Sequence, residues 1–184
     1  GILRMLNGPK RALLYDEMGL GKTLQSLFCL AVTCLRDACW PALIVCPAAL
    51  RLNWIEEIER WLPFFDIEDI AVVKNGRSSL SENARIIVVS YRMLEDVSKE
   101  LLRRKVHFMI ADEVHKTRSF DSIQARTLAL VSRNVSRSIL ATGTPMLVRP
   151  FELYTQLAIV LSEKDKNHLM ARWGWRACMR SSDE

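Results

Sequence analysis

Short apolar runs alternate along this chain with stretches whose apolar residues recur every three or four positions. The runs are RALLY (11–15), ALIVCP (42–47), DIAVVKN (69–75), ARIIVVSY (84–91), VHFMIADE (106–113) and RSILATGTP (137–145). Short and without strict polar alternation, they predict strands buried on both faces. The periodic stretches predict helices. Residues 22 to about 36 put Leu24, Leu27, Phe28, Ala31 and Leu35 on one stripe, and 48–62 repeat Leu52, Ile55, Ile58 and Leu62. Residues 92–104 carry Met93, Leu94, Val97 and Leu101, and two further helices are expected over 122–133 and 149–161. Strands separated by helices form a parallel sheet covered on both faces. Ligands of such sheets bind beyond the carboxyl ends of the strands. The loops after Tyr15, Ile110 and Leu140 are therefore expected on one edge.

Past residue 162 the pattern fails: SEKDKNHLMARWGWRACMRSSDE is charged and has no clear period. This divides the chain into a patterned lobe, 1–161, and a tail, 162–184. At 184 residues, 49% apolar and 26% charged, the composition is that of a globular domain with a substantial core. A net charge of +5 allows a polyanionic partner without demanding one. The five cysteines include no C-x-x-C pair and are read as small buried thiols in a reducing compartment. The longest apolar stretch, LFCLAVTCL, is far shorter than a membrane span, and the N-terminus does not read as a signal peptide. An intracellular chain without a membrane partner is expected.

The residues that carry chemistry sit in the three loops. DEMGLGKT (16–23) follows a strand and opens a helix. It keeps the end of a phosphate loop, although Asp16 stands where the usual pattern has its first glycine. Gly19 and Gly21 would let backbone N–H groups approach phosphates, Lys22 would bridge them, and the Thr23 hydroxyl would hold Mg²⁺. Asp16, at the head of the loop, is counted with the cofactor-contacting residues. A magnesium nucleotide needs a second acidic ligand, which Asp112 would supply, with Glu113 polarising the attacking water. His115, two residues further on, is read as a hydrogen-bonding link to the third loop. There Thr142 and Thr144 flank a glycine. Taken alone, that loop reads as an ordinary turn.

In this order and spacing the motifs resemble the first RecA-like lobe of a superfamily-two helicase-like ATPase of the Swi/Snf type. DEMGLGKTLQ resembles that family's first motif and LIVCPAALRLNWIEEIERWLP its motif Ia. VVSYRML is similar to motif Ib, DEVH to motif II and TGTP to motif III, and RPFELYTQL is similar to the annealing-helicase (HARP-related) branch. The resemblance implies a P-loop three-layer sandwich with a mainly parallel sheet, ATP and Mg²⁺ as cofactors, and translocation on double-stranded or branched DNA in the nucleus. Arg51, Asn53 and Ser90 would then meet DNA phosphates. Trp54 and Trp61 are read as core residues, since a duplex offers no free base to stack on. The second RecA-like lobe, with its arginine fingers, has no counterpart in these 184 residues. The expected activity of the chain by itself is accordingly very slow. Two other readings stand beside this one, a truncated non-catalytic nucleotide- or DNA-binding module and a lobe of an RNA-dependent DExH helicase.

Overall fold

The computed structural model of the chain describes residues 2–8, 10–74, 80–116, 122–143, 156–157 and 159–161. The tail expected at 162–184 and most of the helix expected at 149–161 lie outside these residues. Within them the chain forms six strands: β1 (Arg11–Leu14), β2 (Ala42–Cys46), β3 (Ile70–Val72), β4 (Ile86–Ser90), β5 (Phe108–Asp112) and β6 (Arg137–Ala141). Five helices accompany them: α1 (Ile2–Asn7), α2 (Lys22–Asp37), α3 (Arg51–Trp61), α4 (Leu94–Arg103) and α5 (Ile123–Asn134). Helix α1 was not expected from the sequence, since its six residues are too few to establish a period.

All five strand pairings are parallel, in the order β1-β6-β5-β2-β4-β3. Successive side chains of a strand point to opposite faces, so each central strand feeds two cores. Leu43 and Val45 of β2, Ile87 and Val89 of β4 and Met109 of β5 pack towards α4 and α5. Ile44, Ile86, Val88, Phe108 and Ile110 face α1, α2 and α3 instead. The result is the expected three-layer α/β sandwich. Because β1, β6 and β5 are neighbours, their carboxyl ends lie side by side, which brings the three chemistry-bearing loops onto one edge.

The helices turn differently from two expectations. Helix α2 buries Ser26, Leu27, Cys29, Leu30, Ala31, Thr33 and Cys34, whereas Phe28 and Leu35 are about half exposed. Its inward face combines Leu27 and Leu30 with smaller residues. Helix α3 buries Trp54 and Ile58, and Leu52 is 68% exposed. Trp61 is also partly exposed, so its expected place in the core is corrected: its indole N–H donates to Glu57 at 2.8 Å and the Arg60 guanidinium lies 5.1 Å from its ring centre. Cys29, Cys34 and Cys46 are buried and free, as expected, whereas Cys39 is only half-buried and Cys178 lies outside the described residues. Burial pushes the Cys29 thiol up to about 11 and that of Cys46 to about 12, which keeps both protonated and inert.

Candidate functional site

The turn between β1 and α2 depends on two left-handed glycines, Gly19 with φ 82° and Gly21 with φ 72°. Gly21 directly precedes α2 and no side chain caps the helix there. The first-turn N–H groups and the positive end of a 16-residue helix are thus directed at the loop's concave side. The Lys22 ammonium folds back into the loop and donates to the carbonyls of Asp16 at 2.9 Å and Glu17 at 2.8 Å. Gln25 braces the same turn, its amide donating to Leu20 O at 3.1 Å and Asp16 Oδ2 at 3.3 Å. Asp16 therefore serves as an internal brace of the loop through Gln25, a role its expected place among the cofactor contacts did not anticipate.

The acidic pair stands at the end of β5. Asp112 Oδ1 accepts from the Glu113 N–H at 2.9 Å, and Oδ2 accepts from the Trp54 indole N–H at 3.0 Å. The Asp112 carbonyl accepts from the buried Tyr91 hydroxyl at 2.6 Å. Burial pushes the Asp112 carboxyl above its ordinary range. The nearby Glu113 charge acts in the same direction, opposed by the two hydrogen bonds and by the Lys22 ammonium. Glu113 holds a left-handed backbone with φ 50°, a strained conformation for a residue with a side chain. Its Oε2 is buried without a hydrogen-bond partner, although His115 Nδ1 lies 3.1 Å away. The contact is a close approach and not a hydrogen bond.

His115 Nδ1 is 2.8 Å from Thr142 Oγ1, inside the protein. The Thr142 N–H donates to Leu14 O at 3.1 Å, at the end of β1. A Cβ built on Gly143 would stand 3.0 Å from Met18 Cγ and 3.5 Å from Lys22 Nζ. The third loop therefore touches both the acidic segment and the glycine turn. Thr144, expected to share the coupling, lies outside the described residues. Gly21, Lys22, Thr23, Trp54, Asp112 and Glu113 together line a cleft of about 460 Å³.

The residues expected to meet nucleic acid differ in exposure. Asn53 is exposed at the mouth of this cleft. Arg51 is half-buried, its guanidinium donating to the carbonyls of Ala48 and Val73, so it ties the start of α3 to the end of β3. Ser90 is 3% exposed at the end of β4 and presents no hydroxyl at the surface, contrary to its expected phosphate contact. Among the described residues no group of three or more His, Cys, Asp or Glu side chains could enclose a metal ion. No helix among them is long and apolar enough to cross a membrane.

The model of the SNF2-related domain matches residues 3–174. The chain belongs to the SNF2-related family. The match continues past the boundary expected at residue 161. The chain is 35% identical over 169 residues to the human "DNA annealing helicase and endonuclease ZRANB3", covering 89% of this chain and 15% of that protein. It is 36% identical over 160 residues to the Xenopus laevis "SWI/SNF-related matrix-associated actin-dependent regulator of chromatin subfamily A-like protein 1", covering 87% of this chain and 16% of the relative. These relatives bear out the expected likeness to the annealing-helicase branch. This SNF2-related chain also shares the fold of the Sulfolobus solfataricus SWI2/SNF2 ATPase core domain (TM-score 0.69, 24% identity, 82% of this chain and 30% of that one). The same archaeal core solved in complex with dsDNA superposes with a TM-score of 0.64 at 23% identity, over 80% of this chain and 31% of that one.

Two contributors to the SNF2-related site escaped the sequence reading. Gln25 sits one turn into α2, where a polar residue normally signals only a solvated face. Trp54 was assigned to the core without a polar task. The spacing of Trp54 and Ile58, one helical turn apart, is compatible with an inward face, but no local pattern signals the polar partner of the indole.

Proposed function

We propose that this chain is the nucleotide-binding first lobe of an ATP-driven motor that moves along double-stranded DNA. The observation that carries the reading is the convergence of Lys22 and Thr23 with Asp112 and Glu113 on one cleft, from loops about ninety residues apart in sequence.

The residues suit a magnesium nucleotide. Left-handed glycines and an uncapped helix start suit an anion, and the Lys22 ammonium, held only by loop carbonyls, is placed to exchange them for phosphate oxygens. A buried Glu113 oxygen without a hydrogen-bond partner, beside an Asp112 carboxyl pushed up by burial, marks a site short of positive charge. Thr23 and Asp112 would hold Mg²⁺, with water and phosphate oxygens completing its shell. Bound there, the ion would neutralise charge on the phosphates. Glu113, which lines the cleft, orients a water and accepts its proton. His115 and Thr142 connect that carboxylate's segment to the third loop, and so to the end of β1.

Phosphoryl transfer also requires a cation on the far side of the transferred group, and among the described residues that line the cleft Lys22 is the sole cation. In phosphate-loop enzymes an arginine supplied there is worth about 10³–10⁵-fold in rate. A second lobe of the full-length protein would supply it, so the chain by itself binds ATP and turns it over very slowly. Asn53 would face the DNA, with Arg51 acting as a brace for that helix start. The readings of duplex or branched DNA as partner and of a nuclear location are supported by the family and by no residue of the cleft. The test is fluorescence titration with a mant-labelled ATP analogue in Mg²⁺, comparing the chain with Lys22→Ala, followed by ATPase assays with a second lobe added. Lys22-dependent binding and turnover stimulated by duplex DNA are the expected results. Stimulation by RNA alone would favour the DExH helicase reading. Binding that never leads to turnover would favour a non-catalytic module, and absence of Lys22-dependent binding would refute the nucleotide site.

A further inference from the structure

We infer that Trp54 is a positioning residue for Asp112: its buried indole N–H fixes the orientation in which the carboxylate faces the cation-binding part of the cleft. The inference rests on the nucleotide reading above and concerns how that site is kept ready.

The Asp112 side chain has one soft torsion at its carboxylate, and both oxygens are held against rotation. Oδ1 takes the Glu113 N–H and Oδ2 takes the indole N–H. A carboxylate oxygen has two lone pairs, so each keeps one for the cleft, where Lys22 and Thr23 stand opposite. An indole is suited to this task. It is a donor only, carries no charge, and does not compete with the carboxylate for a cation.

The donor's own position is set by packing. Trp54 is 3% exposed and lies in the same apolar cluster as Leu30, Ile58 and Ile110. Helix α3 cannot shift along the sheet without moving that ring, and the ring cannot move without releasing Oδ2. The bond joins residues 58 positions apart, from helix α3 to the end of β5. Ligand-orienting partners of this kind typically contribute about 10–100-fold to metal affinity.

A purely structural account is that any buried indole N–H takes the nearest acceptor. The two accounts differ in what the N–H does for the cation. The experiment titrates the 184-residue chain with mant-AMPPNP, a fluorescent hydrolysis-resistant ATP analogue, at stepped MgCl₂ and in EDTA. It compares the native chain with Trp54→Phe and with benzothienylalanine introduced at position 54, which keeps the bicyclic shape and replaces the N–H by sulfur. Thermal melts without nucleotide establish that each variant is folded. Each variant, measured against its own affinity in EDTA, is expected to need about tenfold more Mg²⁺, or higher, for half of the Mg²⁺-dependent gain. An unchanged Mg²⁺ requirement in the benzothienyl variant overturns the inference, even if the phenylalanine variant is impaired or unfolded, because ring bulk then accounts for the effect. A native chain that binds no analogue under any condition overturns the nucleotide reading, and this inference with it.

Discussion

Replacing Gly21 by alanine separates what the glycine turn does for folding from what it does for the ligand. Gly21 has φ 72° and ψ 30°, inside the left-handed region. An alanine held there costs about 1–2 kcal/mol relative to right-handed backbone. Its smaller unfolded-state entropy returns about 0.4–1 kcal/mol. Sterics add nothing further, because a Cβ built at this position meets no heavy atom within 4 Å. The folded chain should therefore lose only about 1 kcal/mol, a fall of roughly 2–4 °C in melting temperature for a domain of this size. The same methyl projects into open space on the cleft side, where phosphate oxygens would have to approach the backbone. Affinity for mant-AMPPNP should then fall by at least about tenfold, since one displaced charge-assisted hydrogen bond accounts for about 1.5–3 kcal/mol. Thermal denaturation by circular dichroism and fluorescence titration on the same samples give both numbers. A drop in melting temperature above about 10 °C would show that the position is more constrained than its open surroundings imply. Unchanged affinity in a folded variant would show that phosphates do not approach Gly21.

Three further outcomes follow from the same coordinates. Ala38 closes α2 with φ 48°, so Ala38→Gly should relieve left-handed strain and stabilise the chain by up to about 1 kcal/mol, read as a higher melting temperature. Ile58→Ala should lower stability by about 2–5 kcal/mol in urea denaturation, because Ile58 is fully buried where α3 meets the sheet. Glu100 is held down to about 2 by hydrogen bonds from Arg103 and then Arg104, and Arg104 also donates to the carbonyls of Leu80 and Ser81. A carboxylate whose folded pKa lies below its unfolded value stabilises the fold above about pH 4.5 and loses that contribution as the pH falls towards 2. Glu100→Gln should therefore flatten the pH dependence of the melting temperature across that window. An acid limb as steep as that of the native chain would refute the linkage.

The alternation of strands and helices, the glycine turn and the acidic pair were legible in the sequence because each is written within a window of about ten residues. Apolar period reports which faces are buried, and φ > 0 at a tight turn selects glycine. The convergence of the three loops was also within reach, since a parallel sheet places equivalent strand ends on one edge. The strand order was beyond local windows: β1 beside β6, and β5 between β6 and β2, depend on pairings between distant segments. So did the rotation of the helices. Leu52 and Phe28 match an apolar stripe as well as Trp54 and Cys29 do, and only the contact with the sheet selects the latter pair for burial. Ser90, in an expected strand and expected to offer its hydroxyl to a DNA phosphate, proves buried because β4 lies between β2 and β3. The indole bond to Asp112 belongs to the same class, for it exists only once α3 has docked against the end of β5. Local sequence determines the backbone's preferred conformations and the available chemical groups; tertiary packing decides which of those groups meet, because directional bonds between distant residues form only after the burial of apolar surface has fixed where the elements lie.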